Sequence, residues 1–244
     1  MRLDTIKNNF MTQEELQKYR HVQSIAKETI EFLKSFIKQG VSAKEIKDAA
    51  ENFMHEKGVN SFWYHNVGAF VLVGEETTIS VSGREYKPTD LKVQSNDLVT
   101  VDLAPNIDGF WGDFARSFVI ENGKVVELEN SSLLEFVEGI KKEQEIHRYF
   151  ESLVNEEMSF EDIYIKLNSF IDNLGFENLD FKKNLGHSIA KNRDGQAWFT
   201  SGDKTKLKDV NLFAFEPHIK KKGGNYGFKM ENIYYFENKN IIVL

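Results

Sequence analysis

Apolar residues recur every three to four positions at the start of the chain. Val22, Ile25, Ala26, Ile30, Leu33 and Phe36 mark one face of a helix that stops before Gly40. Thr12 and Glu15 have the spacing of a capping box at its beginning. Ser42 and Glu45 repeat that spacing and open a second helix ending near Gly58. Over residues 61–82 the pattern shortens to that of strands. "SFWYHNVGAFVLVGEETTISVSG" is rich in aromatic and β-branched residues, with Gly74 as an interruption. The turn-like "REYKPTD" then leads into "VTVDLAPNIDGFWGDFARSF", a predicted strand pair. The order then starts again. A long helix is predicted over residues 131–155, and another begins at Ser159 and Asp162 and ends near Gly175. The strand-like segments "NLGHSIA", "NLFAFEPHI", "YGFKMENIYYF" and "NIIVL" follow. Helix, helix, strands, twice over, predicts one α+β domain spanning 1–244, with pseudo-symmetric halves of about 1–125 and 126–244.

Carboxylates interrupt the most apolar of these strands. "NIDG" carries turn chemistry, with Asn106 first and Gly109 fourth. A turn centred between Ile107 and Asp108 sets Asp102 directly across from Asp113. Gly223-Gly224 is the obvious turn of the later pair, and it sets Glu216 across from Glu231. Like charges facing one another weaken a sheet, and burying them unpaired costs several kcal/mol each. A compensating cation, protonated carboxyls or arginine partners would relieve this. Arg116 lies three positions beyond Asp113 and so points to the other face. Two divalent ions would neutralise four carboxylates, and two symmetric acidic pairs favour a metal site. Asp108, in the turn itself, has the ordinary place of a surface aspartate.

Composition narrows the function further. A net charge of −7 and a pI of about 5.5 speak against nucleic-acid or anionic-membrane partners. The basic run Lys220 to Lys222 is short and reads as the solvated approach to a turn. The absence of cysteine removes disulfides, thiolate metal sites and a cysteine nucleophile. No apolar run approaches the length of a signal peptide or a membrane span, so a cytoplasmic protein is expected.

The order Asp102, Asp113, His187, Glu216, Glu231 resembles the five metal ligands of the pita-bread metallopeptidases. That family includes methionine aminopeptidases, Xaa-Pro aminopeptidases, prolidases and creatinase. "LVTVDLAPNIDGFWGDFARSF", "LGHSIA", "FAFEPHI" and "MENIYYF" each look like one of its ligand segments, and the likeness runs from about residue 12 to the end. It implies two related halves around a curved antiparallel sheet, with two divalent ions in the central cleft. It implies that Asp102 holds one ion, His187 the other, and that Asp113 and Glu231 bridge them. Glu216 would ligate and also shuttle the proton of a water activated between the ions. An oxygen-rich set with one imidazole suits Mn, Fe, Co or Zn and does not itself choose among them; Mn is the metal expected. The implied partner is a small peptide, and a homodimer is compatible.

The segment "WYHNVGAF…GEETTISVSGREYKPTD" is closest to the Xaa-Pro branch, whose members usually carry an additional N-terminal domain. Two substrate-contacting histidines of the family have no counterpart here. Arg84 or Glu85 stands at the first position and Asp194 at the second. His218, two residues beyond Glu216, and His65, in "FWYHN", are the candidates to replace them as catalytic residues. His21, His55 and His147 fall on helix faces predicted to be exposed. Trp63, Trp111 and Trp198 are candidates for a substrate pocket or for the core. The expected activity is that of a dinuclear Xaa-Pro aminopeptidase or dipeptidase. The alternatives are a methionine aminopeptidase-like enzyme, another amide hydrolase on the same scaffold, and a non-catalytic binding protein.

Overall fold

The computed structural model describes residues 11–190 and 195–244. Helix α1 (Gln13–Phe36), helix α2 (Ala43–Glu56) and helix α4 (Phe160–Asn173) each begin at a capping box, on Thr12, Ser42 and Ser159. In each, the cap side chain accepts the amide of the third helical residue, whose carboxylate returns to the cap amide. Helix α3 (Leu134–Leu153) lacks a side-chain cap.

The first half carries strands β1 (Ser61–Phe62), β2 (Ala69–Val73), β3 (Asp97–Leu103), β4 (Pro105–Ile107), β5 (Phe110–Trp111), β6 (Phe114–Glu121) and β7 (Lys124–Val126). The second carries β8 (Phe176–Asn178), β9 (Gly186–Ile189), β10 (Leu212–Phe215), β11 (His218–Lys221), β12 (Gly227–Lys229), β13 (Asn232–Glu237) and β14 (Asn240–Val243). The halves match strand for strand. The order β2-β3-β6-β7 corresponds to β9-β10-β13-β14, and β1-β4-β5 corresponds to β8-β11-β12, with every neighbour antiparallel. The expected pita-bread architecture of helix pairs and antiparallel sheets is thus present.

Each helix pair covers one face of its half's four-stranded sheet. Ile25, Ile30 and Leu33 of α1 and Ile46 and Met54 of α2 pack with Val71, Val99, Val101 and Ile120. Phe150 of α3 and Phe160, Ile163 and Leu167 of α4 pack with Phe213, Phe215 and Tyr234. Side chains alternate across a strand. Because Val101 and Leu103 face the helices, Asp102 faces the opposite side. Because Phe213 and Phe215 face α3 and α4, Glu216 does the same in the second half. Hydrophobic burial on one face therefore aims two carboxylates into the space between the halves.

Four expectations need correction. Residues 74–78 form a 3-10 turn rather than strand, because Thr77 and Thr78 bond their hydroxyls back to the Gly74 and Glu75 carbonyls. Strand β8 carries no pattern that announced it. The turn of the first hairpin is Asp108-Gly109, with φ of 52° and 85°, flanked by Ile107 across from Phe110. A two-residue turn with positive φ at both centres matches strand twist, and Asp-Gly supplies it. The turn centre moves by one residue and the pairing by two, so Asp102 lies across from Ala115, and Asp113 is its diagonal neighbour on the same face. Finally, His147 is buried at 2% exposure, since the covered face of α3 runs through Glu143, Ile146, His147 and Phe150. The second hairpin has the expected register. Phe215 across from Asn232 and His218 across from Lys229 leave Glu216 facing Glu231. Lys220, Lys221 and Lys222 are each paired at the surface, with Glu177, Glu138 and Asp172.

Candidate metal centre

Asp102 is the penultimate residue of β3, Asp113 precedes β6, His187 lies in β9, and Glu216 and Glu231 sit at the breaks before β11 and β13. The two halves bring these five together. Potential ligand atoms of Asp113, His187 and Glu231 lie within 4.8 Å of one another, and so do those of Asp102, Glu216 and Glu231. Glu231 belongs to both groups.

His187 Nε2 lies 3.4 Å from Asp113 Oδ2 and 3.7 Å from Glu216 Oε1. Its Nδ1 is 3.2 Å from the Ser188 carbonyl oxygen. With the ring proton donated there, the Nε2 lone pair faces the carboxylates, as a metal-ligating imidazole requires. Among the described residues, Asp113 Oδ2 and both oxygens of Glu231 are buried without a hydrogen-bond partner. Ionised oxygens in that condition are costly unless a cation completes them. The orphaned oxygens and the single imidazole fit a divalent ion of the Mn, Fe, Co or Zn kind.

Titration reflects the same crowding. Burial pushes the Asp113 carboxyl up to about 7, against the favourable influence of His187. Burial, then Asp113 and Glu216, push Glu231 well above the usual carboxylate range. Burial disfavours the charged His187, but Asp113 and Glu216 outweigh it and the shift is upward. Glu216 shifts the other way, because the nearby Lys229 charge overcomes its burial.

Lys229 is the residue that the strand pattern alone did not single out. Its Nζ donates to Asp102 Oδ2 at 2.5 Å and to Glu216 Oε2 at 2.9 Å. The signal was available, since Lys229 precedes Glu231 by two and must share its face. Three further residues hold the centre in place. The Gln23 amide pairs with both backbone groups of Asp113. Arg116 donates to the Glu231 carbonyl and to Asn232 Oδ1, each at 2.7 Å, and its guanidinium stacks 3.8 Å above the Phe114 ring. His147 bonds the Met230 carbonyl at 3.0 Å and the Tyr234 hydroxyl at 2.9 Å. It is held neutral by its burial, with its pKa pushed down to about 3.

The centre opens into a cleft of about 550 Å³. Trp63, Tyr64, Phe70, Trp198 and the exposed Phe181 line it, together with Asp102, Asp113, His187, Glu216 and Lys229. Trp111 is buried behind Trp63, with ring centroids 4.2 Å apart. His218 and His65 are placed elsewhere. His218 Nε2 is 2.6 Å from the Thr77 carbonyl oxygen, tying β11 to the first half. Burial, with the Lys229 charge, pushes its pKa down to about 4. His65 stands at a φ of 55° with its ring against Tyr64. Neither histidine is among the residues lining the cleft. Arg84 and Glu85 are exposed, and Asp194 lies outside the described residues.

Comparison with known proteins agrees with this geometry. The profile described as "Metallopeptidase family M24" matches residues 17–238. An uncharacterized peptidase of Staphylococcus epidermidis is 24% identical over 213 residues, covering 86% of this chain and 55% of the relative. A methionine aminopeptidase of Helicobacter pylori is 24% identical over 228 residues, covering 86% of this chain and 81% of that protein. Among solved structures, an X-Pro aminopeptidase of Thermotoga maritima superposes with a TM-score of 0.77 at 18% identity, covering 96% of this chain and 61% of that one. The chain thus spans only part of the length of several proteins it matches.

Proposed function

Because the chain belongs to metallopeptidase family M24, we propose that it is a metal-dependent aminopeptidase that hydrolyses the first peptide bond of a small peptide. The observation that carries this reading is the convergence of Asp102, Asp113, His187, Glu216 and Glu231, with orphaned oxygens, at the floor of an aromatic-lined cleft. Asp113, His187 and Glu231 would hold one divalent ion, with Asp102 and Glu216 beside it. Mn is the first candidate. A bound divalent ion polarises the scissile carbonyl and lowers the pKa of water.

The chain's own residues do the rest. Glu216, kept ionised by Lys229, takes a proton from the attacking water and returns it to the leaving amine. Trp63, Tyr64, Phe70 and Trp198 hold the substrate and exclude water from its apolar parts. A substrate of the Xaa-Pro class is supported by the likeness of the segment from Trp63 to Asp90 to that branch. A methionine aminopeptidase-like preference is the second reading, favoured by the alignment with the Helicobacter pylori enzyme over 86% of this chain.

A panel of Xaa-Pro dipeptides, Xaa-Pro tripeptides and Met-Ala-Ser peptides, assayed with added Mn or Co and then with chelator, separates these outcomes. Chelator-sensitive release of the residue before proline supports the first reading, and selective release of methionine the second. A metal-loaded protein inert on the whole panel overturns both.

A further inference from the structure

The two ligand groups of the centre are not equivalent. Around Asp113, His187 and Glu231, three carboxylate oxygens lack a hydrogen-bond partner among the described residues, and no described lysine or arginine is hydrogen-bonded to them. Around Asp102 and Glu216, an ammonium is already in place. Lys229 Nζ sits 2.5 Å from Asp102 Oδ2 and 2.9 Å from Glu216 Oε2. Its side chain is only 14% exposed. Strand register holds it there. Lys229 lies across from His218, and Ser117 ties its backbone at both ends, its hydroxyl accepting from the Lys229 amide at 3.1 Å and donating to the Lys229 carbonyl at 3.3 Å.

We propose that Lys229 is a built-in second cation: one divalent ion binds tightly at Asp113, His187 and Glu231, and the Lys229 ammonium fills the Asp102–Glu216 side where a second ion would otherwise bind. This rests on the metal-centre reading above and sets its stoichiometry. Charge supports it. Four carboxylates meet one divalent ion and one ammonium with a single negative charge left over, and a neutral His187 adds none. A second divalent ion would leave the cluster positive, in a buried setting where like charges repel strongly. It would also have to take the same oxygens from Lys229, a donor whose charge-assisted bonds are of the strong kind. The pseudo-symmetry of the fold isolates the cause. The position corresponding to Lys229 in the first half, by the shared hairpin register, is Trp111, which carries no charge. The cation is a feature of one half alone.

The test is metal stoichiometry, read without activity. Metal-free wild type, Lys229→Met, Lys229→Gln and Lys229→Arg are titrated with Mn by equilibrium dialysis, with Mn electron paramagnetic resonance as a second readout. Circular dichroism confirms that each variant is folded. The expected result is one tightly bound Mn in wild type with an uncoupled six-line signal at two equivalents added. Lys229→Arg should also hold one, while Lys229→Met and Lys229→Gln should hold two, with at least 100-fold tighter binding of the second ion and a spin-coupled pair. Two ions of similar affinity in wild type would overturn the proposal and leave the metal-centre reading standing. One ion in every variant would show that Lys229 does not set the count and would also overturn it. No ion in any protein would overturn the metal-centre reading itself.

Discussion

Gln23 clasps Asp113 by its backbone: its Nε2 donates to the Asp113 carbonyl at 2.8 Å, and its Oε1 accepts the Asp113 amide at 2.9 Å. A residue of α1, 90 positions earlier in the chain, thereby occupies both backbone groups at the break before β6. The side chain of Asp113 is left free to face His187. Gln23 is 1% exposed, so both bonds are made away from water. Replacing Gln23 with Leu should weaken Mn binding about 10- to 100-fold, the usual effect of losing a group that orients a ligand. It should also leave two buried backbone groups unpaired, at a cost of about 1–3 kcal/mol each. Isothermal titration of the folded variant measures the first effect. An unchanged affinity would show that β6 alone positions Asp113.

Glu231 is fully buried beside Asp113, and neither of its oxygens has a hydrogen-bond partner among the described residues. In metal-free protein it is therefore a liability, and with metal a ligand. Glu231→Gln should melt higher than wild type in chelator at pH 8, because the crowded charge is gone. It should gain nothing from added Mn, whereas wild type should gain stability in proportion to the logarithm of metal concentration. Equal Mn-induced shifts in the two proteins would remove Glu231 from the ligand set.

Without metal, stability should fall as pH rises above about 6.5, where the unfolded chain has released its histidine protons and the depressed His147 and His218, which oppose the trend at lower pH, no longer count. Burial lifts Asp113 to about 7, burial and its neighbours lift Glu231 well above the carboxylate range, and Asp113 and Glu216 raise His187. In each case the folded protein keeps a proton that the unfolded chain has released, so rising pH favours unfolding. Glu216, shifted downward, opposes this only below the ordinary carboxylate range. Thermal melts in chelator between pH 5 and 8.5 check the slope. Metal binding must displace the retained protons, so calorimetry in buffers of different ionisation enthalpy should show proton release at pH 6.5.

Behind the centre, Glu143 of α3 is 1% exposed, and neither oxygen has a well-formed hydrogen bond among the described residues. Burial raises its pKa well above 4.5, against the pull of Lys229, the Ile219 amide and Arg116. It sits on the buried face of α3, one turn before His147, within electrostatic reach of Lys229 and Arg116. Glu143→Gln should keep the shape, remove the cost of ionisation and flatten the pH dependence above pH 5. A gain of about 1 kcal/mol at pH 8 is expected, the order of a buried polar group relieved of its desolvation penalty. Denaturant unfolding at pH 5 and pH 8 would reveal it. A variant less stable at pH 8 would mean that the ionised carboxylate is stabilised by those cations.

Much of this arrangement was written locally. The capping boxes at Thr12, Ser42 and Ser159 start three helices because the residues that satisfy the free amides lie within four positions of them. The facing of Glu216 and Glu231 followed from a glycine turn and a period of two. The facing of Asp102 and Asp113 did not, because "NIDG" offers two turn centres one residue apart. Positive φ at Asp108 and Gly109 selects the centre that makes them diagonal neighbours. His147 escaped the pattern for a different reason. Glu143 and His147 share the core-facing stripe of α3, and polar residues there look like a solvated face until Tyr234 and Met230 are brought against them.

By itself, then, the sequence determined the repeated helix and strand order and the carboxylates placed in apolar strands, because each depends on residues a few positions apart, whereas His187 joined the candidate ligands only through the family resemblance. Only the tertiary structure decided that the ligands of the two halves converge, that Gln23 and Arg116 hold their backbones, that His218 turns to Thr77, and that Lys229 reaches Asp102. Those contacts join positions 90 to 141 residues apart, and their geometry is set by how the two sheets pack against one another, which no local period encodes.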